Sequence, residues 1–341
     1  MIRLRLSSRM RTWLALAVLL LTSARHASSQ ELRLPMKDGS VRFAVMGDNG
    51  TGTVGQYEVA RQMAAYHASF PFEFVIMCGD NLYGGSGPKD YRKKFEQPYA
   101  DLLAAKVKFY AVLGNHDNPA EMNYEGFNMG GRRYYTWRAS SGGLARIGGT
   151  GVRFFALDTT YMDKPQLDWL ESELKKSSSE WKIAFFHHPI YSSGRTHGSS
   201  LDLRALLEPL FINYGVSVVF SGHDHFYERI KPQHGITYFV SGAGGALRKG
   251  NIDRHSSLTD VGFDSDCHFM LVEIDGLDLY FQTISRTGQT VDAGVIHHMP
   301  FAEETAPASP LPPPPDSTQV PLAPVSPSPP GATPPDPPSH P

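Results

Sequence analysis

The sequence has few cysteines and almost no excess of either charge. Only Cys78 and Cys267 occur among 341 residues, which excludes a fold held by several disulfides and a cysteine-rich zinc module. We expect both to be small buried apolar side chains, with a disulfide between them as the alternative. The 32 basic and 34 acidic residues give a net charge of −2. A strongly basic nucleic-acid binder is therefore excluded, and no nucleic-acid binding is expected.

Long hydrophobic runs are also absent, and the two ends of the chain differ from its middle. The apolar run 13–21 follows four arginines and is shorter than the about 20 residues that span a membrane. Residues 1–29 therefore predict a secretory signal peptide, a secreted protein and no membrane span.

At the other end, 16 of the 26 prolines lie between Pro307 and Pro341. This composition predicts a disordered tail over residues 300–341 and leaves 30–299 as one catalytic domain.

The middle of the chain alternates short apolar runs with helical patterns, which favours an α/β fold. Three late strands without long helices between them favour two mixed sheets over a parallel barrel. The predicted strands are 41–46, 72–77, 107–113, 152–157, 182–186, 216–220, 236–240, 270–274 and 279–284. The predicted helices are 57–67, 91–103, 166–175 and 201–214.

Polar motifs follow the strands at the points where the strands end. Sites in open α/β sheets form at the carboxyl ends of strands, and each early strand here delivers a side chain that could hold a hard metal ion. Each motif alone is also typical of an ordinary turn or helix cap. Five in succession indicate a metal site. The motifs are Gly47-Asp48-Asn49-Gly50, Gly79-Asp80-Asn81-Leu82-Tyr83, Gly114-Asn115-His116-Asp117, His187-His188-Pro189 and Gly222-His223-Asp224-His225.

With these motifs, residues 42–285 resemble the calcineurin-like metallophosphoesterases, and within them the small, tartrate-resistant type of purple acid phosphatase. The resemblance implies a β-sandwich of two mixed sheets flanked by helices, in four αββα layers. The general family pattern begins Asp-x-His, but Gly50 stands two residues after Asp48. Purple acid phosphatases instead place a tyrosine three residues after the bridging aspartate, and Tyr83 has that spacing from Asp80. An aromatic residue packed on the loop is the alternative for Tyr83.

The resemblance implies a binuclear metal centre. The first metal would be held by Asp48, Asp80, Tyr83 and His225, whose three anionic oxygens favour a trivalent ion, and the resemblance implies Fe(III). The second would be held by Asp80, Asn115, His187 and His223 and would be a divalent Fe, Zn or Mn ion. The residue before a proline is extended, so the rings of His187 and His188 are expected to point apart. The family pattern selects His187 as the ligand, although it usually has tyrosine where His188 stands.

The expected function is that of a secreted acid phosphatase that hydrolyses small-molecule phosphate monoesters. A metal-bound hydroxide would be the nucleophile. His116 and His197 would bind phosphate oxygens and protonate the leaving group, and Asp117 would orient His116. A loop histidine in solvent is the alternative for His197. A phosphodiesterase or nucleotidase of the same fold is the first alternative function, and a non-catalytic metal-binding adhesion protein is the second.

Overall fold

The alternation of strands and helices predicted from the sequence is present in the computed structural model, which describes residues 31–139, 151–177 and 181–298. The predicted signal peptide over 1–29 and the predicted tail over 300–341 lie outside the described residues, so the domain boundaries stay predictions. Within those residues, no helix combines the length and apolar character needed to cross a membrane. Cys78 and Cys267 are both buried and free, which confirms that they do not form a disulfide.

The described residues form thirteen strands and five α-helices. The strands are β1 Val41–Met46, β2 Phe74–Met77, β3 Lys108–Ala111, β4 Tyr135–Ala139, β5 Val152–Ala156, β6 Trp181–Phe185, β7 Val218–Ser221, β8 Tyr227–Ile230, β9 Thr237–Ser241, β10 Thr259–Phe263, β11 His268–Asp275, β12 Asp278–Ser285 and β13 Thr290–His297. The helices are α1 Val54–His67, α2 Pro88–Tyr91, α3 Ala100–Ala104, α4 Lys164–Lys175 and α5 Leu201–Asn213.

Two mixed sheets carry these strands. The first has the order β13-β12-β11-β1-β2-β3 and the second has the order β10-β8-β9-β7-β6-β5-β4. In the first sheet β1, β2 and β3 run parallel, and in the second β5, β6, β7 and β9 do so. The fold class predicted from the sequence is therefore confirmed. The carboxyl ends of β1, β2, β3, β6 and β7 carry the five polar motifs.

The two sheets pack face to face through aromatic side chains. Phe43 of β1 makes edge contacts with Phe154 of β5 and Phe220 of β7, at centroid distances of 5.3 and 6.2 Å. Val59 of α1 belongs to this same buried core, whereas Leu170 and Phe211 of α4 and α5 belong to a second core on the second sheet. Each such side chain contributes about 1.5–3 kcal/mol on burial. The layers are thus helix, sheet, sheet and helix.

The predicted elements differ from the structure mainly in one helix and four strands. The predicted helix 91–103 is broken, because Pro98 lies inside it and a proline removes a helical hydrogen bond; α2, a wide turn at Arg92–Glu96 and α3 take its place. Strands β4, β8, β10 and β13 were not predicted. β10 and β13 are partly exposed edge strands whose apolar pattern is weak.

Candidate metal centre

The backbone at three of the predicted ligands is unusual. Asp48, Asp80 and His223 have φ angles of 54°, 52° and 69°, in the left-handed region that residues other than glycine rarely adopt. Each such residue costs about 1–3 kcal/mol, and residues of this kind cluster at functional sites. Asp48 follows β1, Asp80 follows β2 and His223 follows β7. The turns after these strands therefore hold the ligands in place at an energetic cost.

Four predicted ligands of the first metal lie together. Asp48, Asp80 and His225 have potential ligand atoms all within 4.8 Å of one another. The Tyr83 hydroxyl is 3.1 Å from Asp48 Oδ1 and 3.2 Å from His225 Nε2. Asp48 and Asp80 are buried, whereas Tyr83 and His225 are partly exposed. Tyr83 is therefore not an aromatic residue that merely packs on its loop.

The predicted ligands of the second metal form a neighbouring group. His187 Nε2 lies 3.0 Å from Asn115 Oδ1, 3.5 Å from Asp80 Oδ1 and 3.1 Å from His223 Nδ1. The other ring nitrogen of His187 makes a 2.9 Å hydrogen bond with the Cys78 carbonyl. This second contact makes Nδ1 the proton donor and leaves the Nε2 lone pair for a metal.

The expectation that the rings of His187 and His188 point apart is wrong. Their centroids lie 4.9 Å apart, and the His188 ring lies 4.5 Å from that of His223. The Thr159 hydroxyl is 3.0 Å from both the His188 backbone nitrogen and its Nδ1. Thr159 thus turns the His188 ring towards His223. The extended backbone expected before Pro189 does not determine this side-chain direction.

The electrostatics of the site fit a bound cation. Burial raises the pKa of the Asp48 carboxyl well above its usual range, and the charge of Asp80 raises it further. Burial, followed by the neighbouring His188, lowers the pKa of His187 well below its usual value. Among the described residues, neither carboxylate has an ion pair with lysine or arginine. Buried carboxylates beside neutral imidazoles are the arrangement that metal ions stabilise.

Comparisons with known proteins agree with this geometry. The family model for calcineurin-like phosphoesterases matches residues 41–227, more than half of the chain. The chain belongs to the calcineurin-like phosphoesterase family. It is 29% identical to purple acid phosphatase 17 of Arabidopsis thaliana over 63% of this chain and 72% of the relative. It is 26% identical to human tartrate-resistant acid phosphatase type 5 over 77% and 94% of the two chains.

A solved structure supports the fold alone. The Plasmodium protein described as GAP50, the anchor in the inner membrane complex, superposes with a TM-score of 0.66 at 20% identity. The match covers 77% of this chain and 90% of the Plasmodium chain. The resemblance to phosphoesterases that the motifs suggested is therefore confirmed, and the family implies a binuclear metal centre.

Gly50 allows the loop that carries Tyr83 to pack closely against the loop after β1. A Cβ atom at residue 50 would lie 1.9 Å from the Asn81 carbonyl oxygen. Two backbone hydrogen bonds, Gly50 N to Asp80 O at 3.2 Å and Tyr83 N to Gly50 O at 2.9 Å, join the two loops. The loop after β2 therefore needs a residue without a side chain at position 50. That close approach brings the Tyr83 hydroxyl to Asp48.

The two predicted proton donors lie on different sides of the phosphoesterase centre. The exposed His116 has its ring 5.0 Å from that of Tyr83, and its backbone nitrogen donates to Asp80 Oδ1 at 3.0 Å. The exposed His197 has its ring 4.2 Å from that of His223. Partial burial, followed by Arg248, lowers the pKa of His197. Its ring therefore carries a proton only at acidic pH.

Asp117 makes different contacts from those expected. Its carboxylate accepts hydrogen bonds from Asn81 Nδ2, Leu82 N and Gly114 N, at 2.7, 3.0 and 2.9 Å. Among the described residues, a hydrogen bond from the His116 ring to Asp117 is not found. Asp117 thus joins the loops after β2 and β3, and its expected role in orienting His116 is not supported.

Two residues at the site were missed. Asp224 Oδ2 accepts hydrogen bonds from Ser192 Oγ at 2.5 Å and Gly198 N at 3.1 Å, so it fixes the loop that carries His197. Its place between the predicted ligands His223 and His225 could have drawn attention to it, although the segment is not a regular extended strand, since His223 has a φ of 69°. Arg248 lies close enough to lower the pKa of both His197 and His225, and no signal in the sequence singled it out.

Proposed function

We propose that this phosphoesterase is an acid phosphatase that hydrolyses phosphate monoesters at a binuclear metal centre. The observation that carries the proposal is the position of Asp80 between two groups of donors. Its carboxylate lies with Asp48 and His225 on one side and 3.5 Å from His187 Nε2 on the other. A carboxylate shared in this way suits two ions about 3.5–4 Å apart.

The donor set supports the assignment of each ion. Asp48, Asp80 and Tyr83 would give the first ion three anionic oxygens, which favour Fe(III), and His225 completes the set. Asn115, His187 and His223 are neutral and suit a divalent Fe, Zn or Mn ion beside Asp80. When bound, the two ions would supply Lewis acidity and lower the pKa of a water molecule, so that a serine or cysteine nucleophile is not needed.

The exposed histidines would handle the substrate and the proton. In their protonated forms, His116 and His197 would bind phosphate oxygens from the two sides of the centre and protonate the leaving oxygen. The lowered pKa of His197 supports an acidic optimum, because its charge is lost when the pH rises through that pKa.

The first alternative function is that of a phosphodiesterase or nucleotidase, and the second is a non-catalytic role. A diesterase or nucleotidase would use the same donors, so a panel of phosphate monoesters and diesters separates these activities. The Plasmodium neighbour described as an anchor makes anchoring without catalysis a candidate role. This chain retains all seven predicted metal ligands, and that completeness supports catalysis.

The test combines colour and activity. The purified oxidised protein should be violet from tyrosinate-to-Fe(III) charge transfer, and Tyr83→Phe should be colourless in the visible range. His223→Ala should lose at least about a hundredfold in phosphate-monoester hydrolysis at acidic pH, whereas the exposed His255→Ala should keep full activity. Colourless wild-type protein would refute the Fe(III)–tyrosinate assignment, and full activity in His223→Ala would refute the site.

The location of the protein is a separate proposal. The arginines and the apolar run of residues 1–29 support export through a cleaved signal peptide, and the acid phosphatase would then act outside the cytoplasm. Expression of the full chain followed by amino-terminal sequencing of the exported protein tests this. An unprocessed protein retained in the cytoplasm would contradict it.

A further inference from the structure

His188 lies beside His187 and His223, two predicted ligands of the second metal, but the expected ligand set does not include it. His187, His188 and His223 each have a ring nitrogen within 4.8 Å of one in the other two. Two nitrogens bound at about 2.1 Å to one tetrahedral ion lie about 3.4 Å apart. The 3.1 Å between His187 Nε2 and His223 Nδ1 is already close to that spacing, so a movement of the His188 ring towards them would bring all three rings onto a single ion.

The contacts of His188 favour its Nε2 as a ligand. Thr159 Oγ1 lies 3.0 Å from His188 Nδ1 and also accepts from the His188 backbone nitrogen at 3.0 Å. An Nδ1–H that donates to Thr159 leaves the lone pair on Nε2, which is the usual arrangement of a metal-binding histidine. Thr159 itself is buried in the loop that follows β5, so the second sheet supplies this support.

We propose that His188 is a third imidazole ligand of the second metal ion and that Thr159 positions it. The inference rests on the proposed binuclear centre. It adds a nitrogen donor to Asp80, Asn115, His187 and His223, and a site with three imidazoles favours Zn(II) or Fe(II) over Mn(II), which prefers oxygen donors. His188 thus selects the class of divalent ion.

The experiment uses Co(II) as a spectroscopic probe of the full-length protein. Metal-free wild type, His188→Phe, Thr159→Val and the exposed-histidine control His255→Phe are titrated with Co(II), and the visible d–d bands and the two dissociation constants are recorded. His188→Phe should weaken the second Co(II) at least about tenfold and change its bands, and Thr159→Val should weaken it about tenfold. His255→Phe should match the wild type.

Competition between Zn(II) and Mn(II) gives a second readout that a purely structural role would not change. The ratio of Zn(II) to Mn(II) affinity at the second site should fall about tenfold or more in His188→Phe, because a nitrogen donor is lost. Thr159→Val leaves the His188 imidazole itself unchanged, so it tests the inference even if His188→Phe folds poorly.

The outcomes separate this inference from the proposed function. His223→Ala should lose the second Co(II). If His223→Ala binds weakly while His188→Phe and Thr159→Val retain wild-type affinity and bands, His188 is not a ligand and the binuclear centre stands. If wild type binds fewer than two Co(II) ions, the binuclear centre is refuted, and the role of His188 with it.

Discussion

Residue 50 is the point at which a single atom would disturb the centre. A Cβ there would overlap the Asn81 carbonyl oxygen at 1.9 Å, and backbone atoms cannot move aside as a side chain can. Gly50→Ala should lose about 1–3 kcal/mol of stability, typical of overpacking, and should move Tyr83 away from Asp48. Thermal unfolding and the visible charge-transfer band measure the two effects.

Gly87→Ala is the matched control for this substitution. A Cβ at residue 87 would approach only Asp90 Oδ2, at 3.6 Å, an ordinary contact. The control should cost at most about 1 kcal/mol, because alanine is a poorer helix cap than glycine. Equal losses in stability and colour for the two variants would contradict the role of Gly50.

Asp48 is expected to weaken the metal-free fold while holding the metal. Its pKa is raised by burial and by Asp80, so the charged form is unfavourable unless a cation is bound. Asp48→Asn should raise the melting temperature in the presence of a chelator and should abolish tight binding at the first site. Differential scanning calorimetry with and without metal measures both. A metal-free variant less stable than the metal-free wild type would contradict this expectation.

At the scale of the element, Asp224 connects the end of β7 to the loop Ser192–Gly198. Asp224→Asn replaces one acceptor oxygen by an N–H group, which would face a donor from Ser192 or Gly198. A hydrogen bond to a charged group contributes about 1.5–3 kcal/mol, so we expect kcat/KM to fall about tenfold to a hundredfold with metal content unchanged. Steady-state kinetics and metal analysis test this. Ser192→Ala, which keeps the Gly198 contact, should lose less.

The short turn Pro119–Asn123 contains a carboxyl group whose titration affects stability. Glu121 is buried, its Oε1 accepts from Asn118 N at 3.0 Å, and burial raises its pKa to about 7. The folded protein therefore holds this proton more tightly than the unfolded chain. The associated stability is fully present below about pH 4.5 and is lost as the pH rises to about 7.

Glu121→Gln should remove this pH dependence, because glutamine resembles the protonated acid. The wild type should lose up to about 3 kcal/mol across that range, and the variant should lose less. Melting temperatures measured across the range give the comparison, with the exposed Glu125→Gln as control. A parallel decline in wild type and Glu121→Gln would contradict the assignment.

Elements with a strong apolar pattern were predictable, and those that depend on tertiary contacts were not. The predicted bounds of β1 are identical to those observed, and α5 differs by one residue, because both are bounded by clear turn residues. β8 contains Glu228 and Arg229, which find partners elsewhere: Glu228 Oε2 accepts from Ser193 N, and Arg229 pairs with Asp292. Such contacts leave no local pattern.

At the scale of the whole molecule, the centre joins the two sheets. Asp48, Asp80 and Asn115 follow strands of the first sheet, whereas His187 and His223 follow strands of the second. A ligand that binds only the folded protein stabilises it by about 4 kcal/mol at a thousandfold its dissociation constant. Removal of both metals should therefore lower the melting temperature in a single transition that metal addition reverses. Calorimetry that shows no change on chelation would contradict this.

Motif order predicted which side chains would meet, because parallel strands bring their ends to one edge. The direction of individual rings was not predictable. Thr159 controls His188 and Asp224 controls the His197 loop, and both effects depend on distances between residues far apart in the chain. The seven predicted metal ligands lie together in the structure, whereas the contacts of His188 and Asp117 differ from those expected.

The close approach of residues 50 and 81 also makes two forms of the first metal site mutually exclusive. A histidine at position 50, as in the general family pattern, would keep the two loops apart, because its Cβ would lie 1.9 Å from the Asn81 carbonyl oxygen. A tyrosine at position 83 that reaches Asp48 therefore requires glycine at position 50.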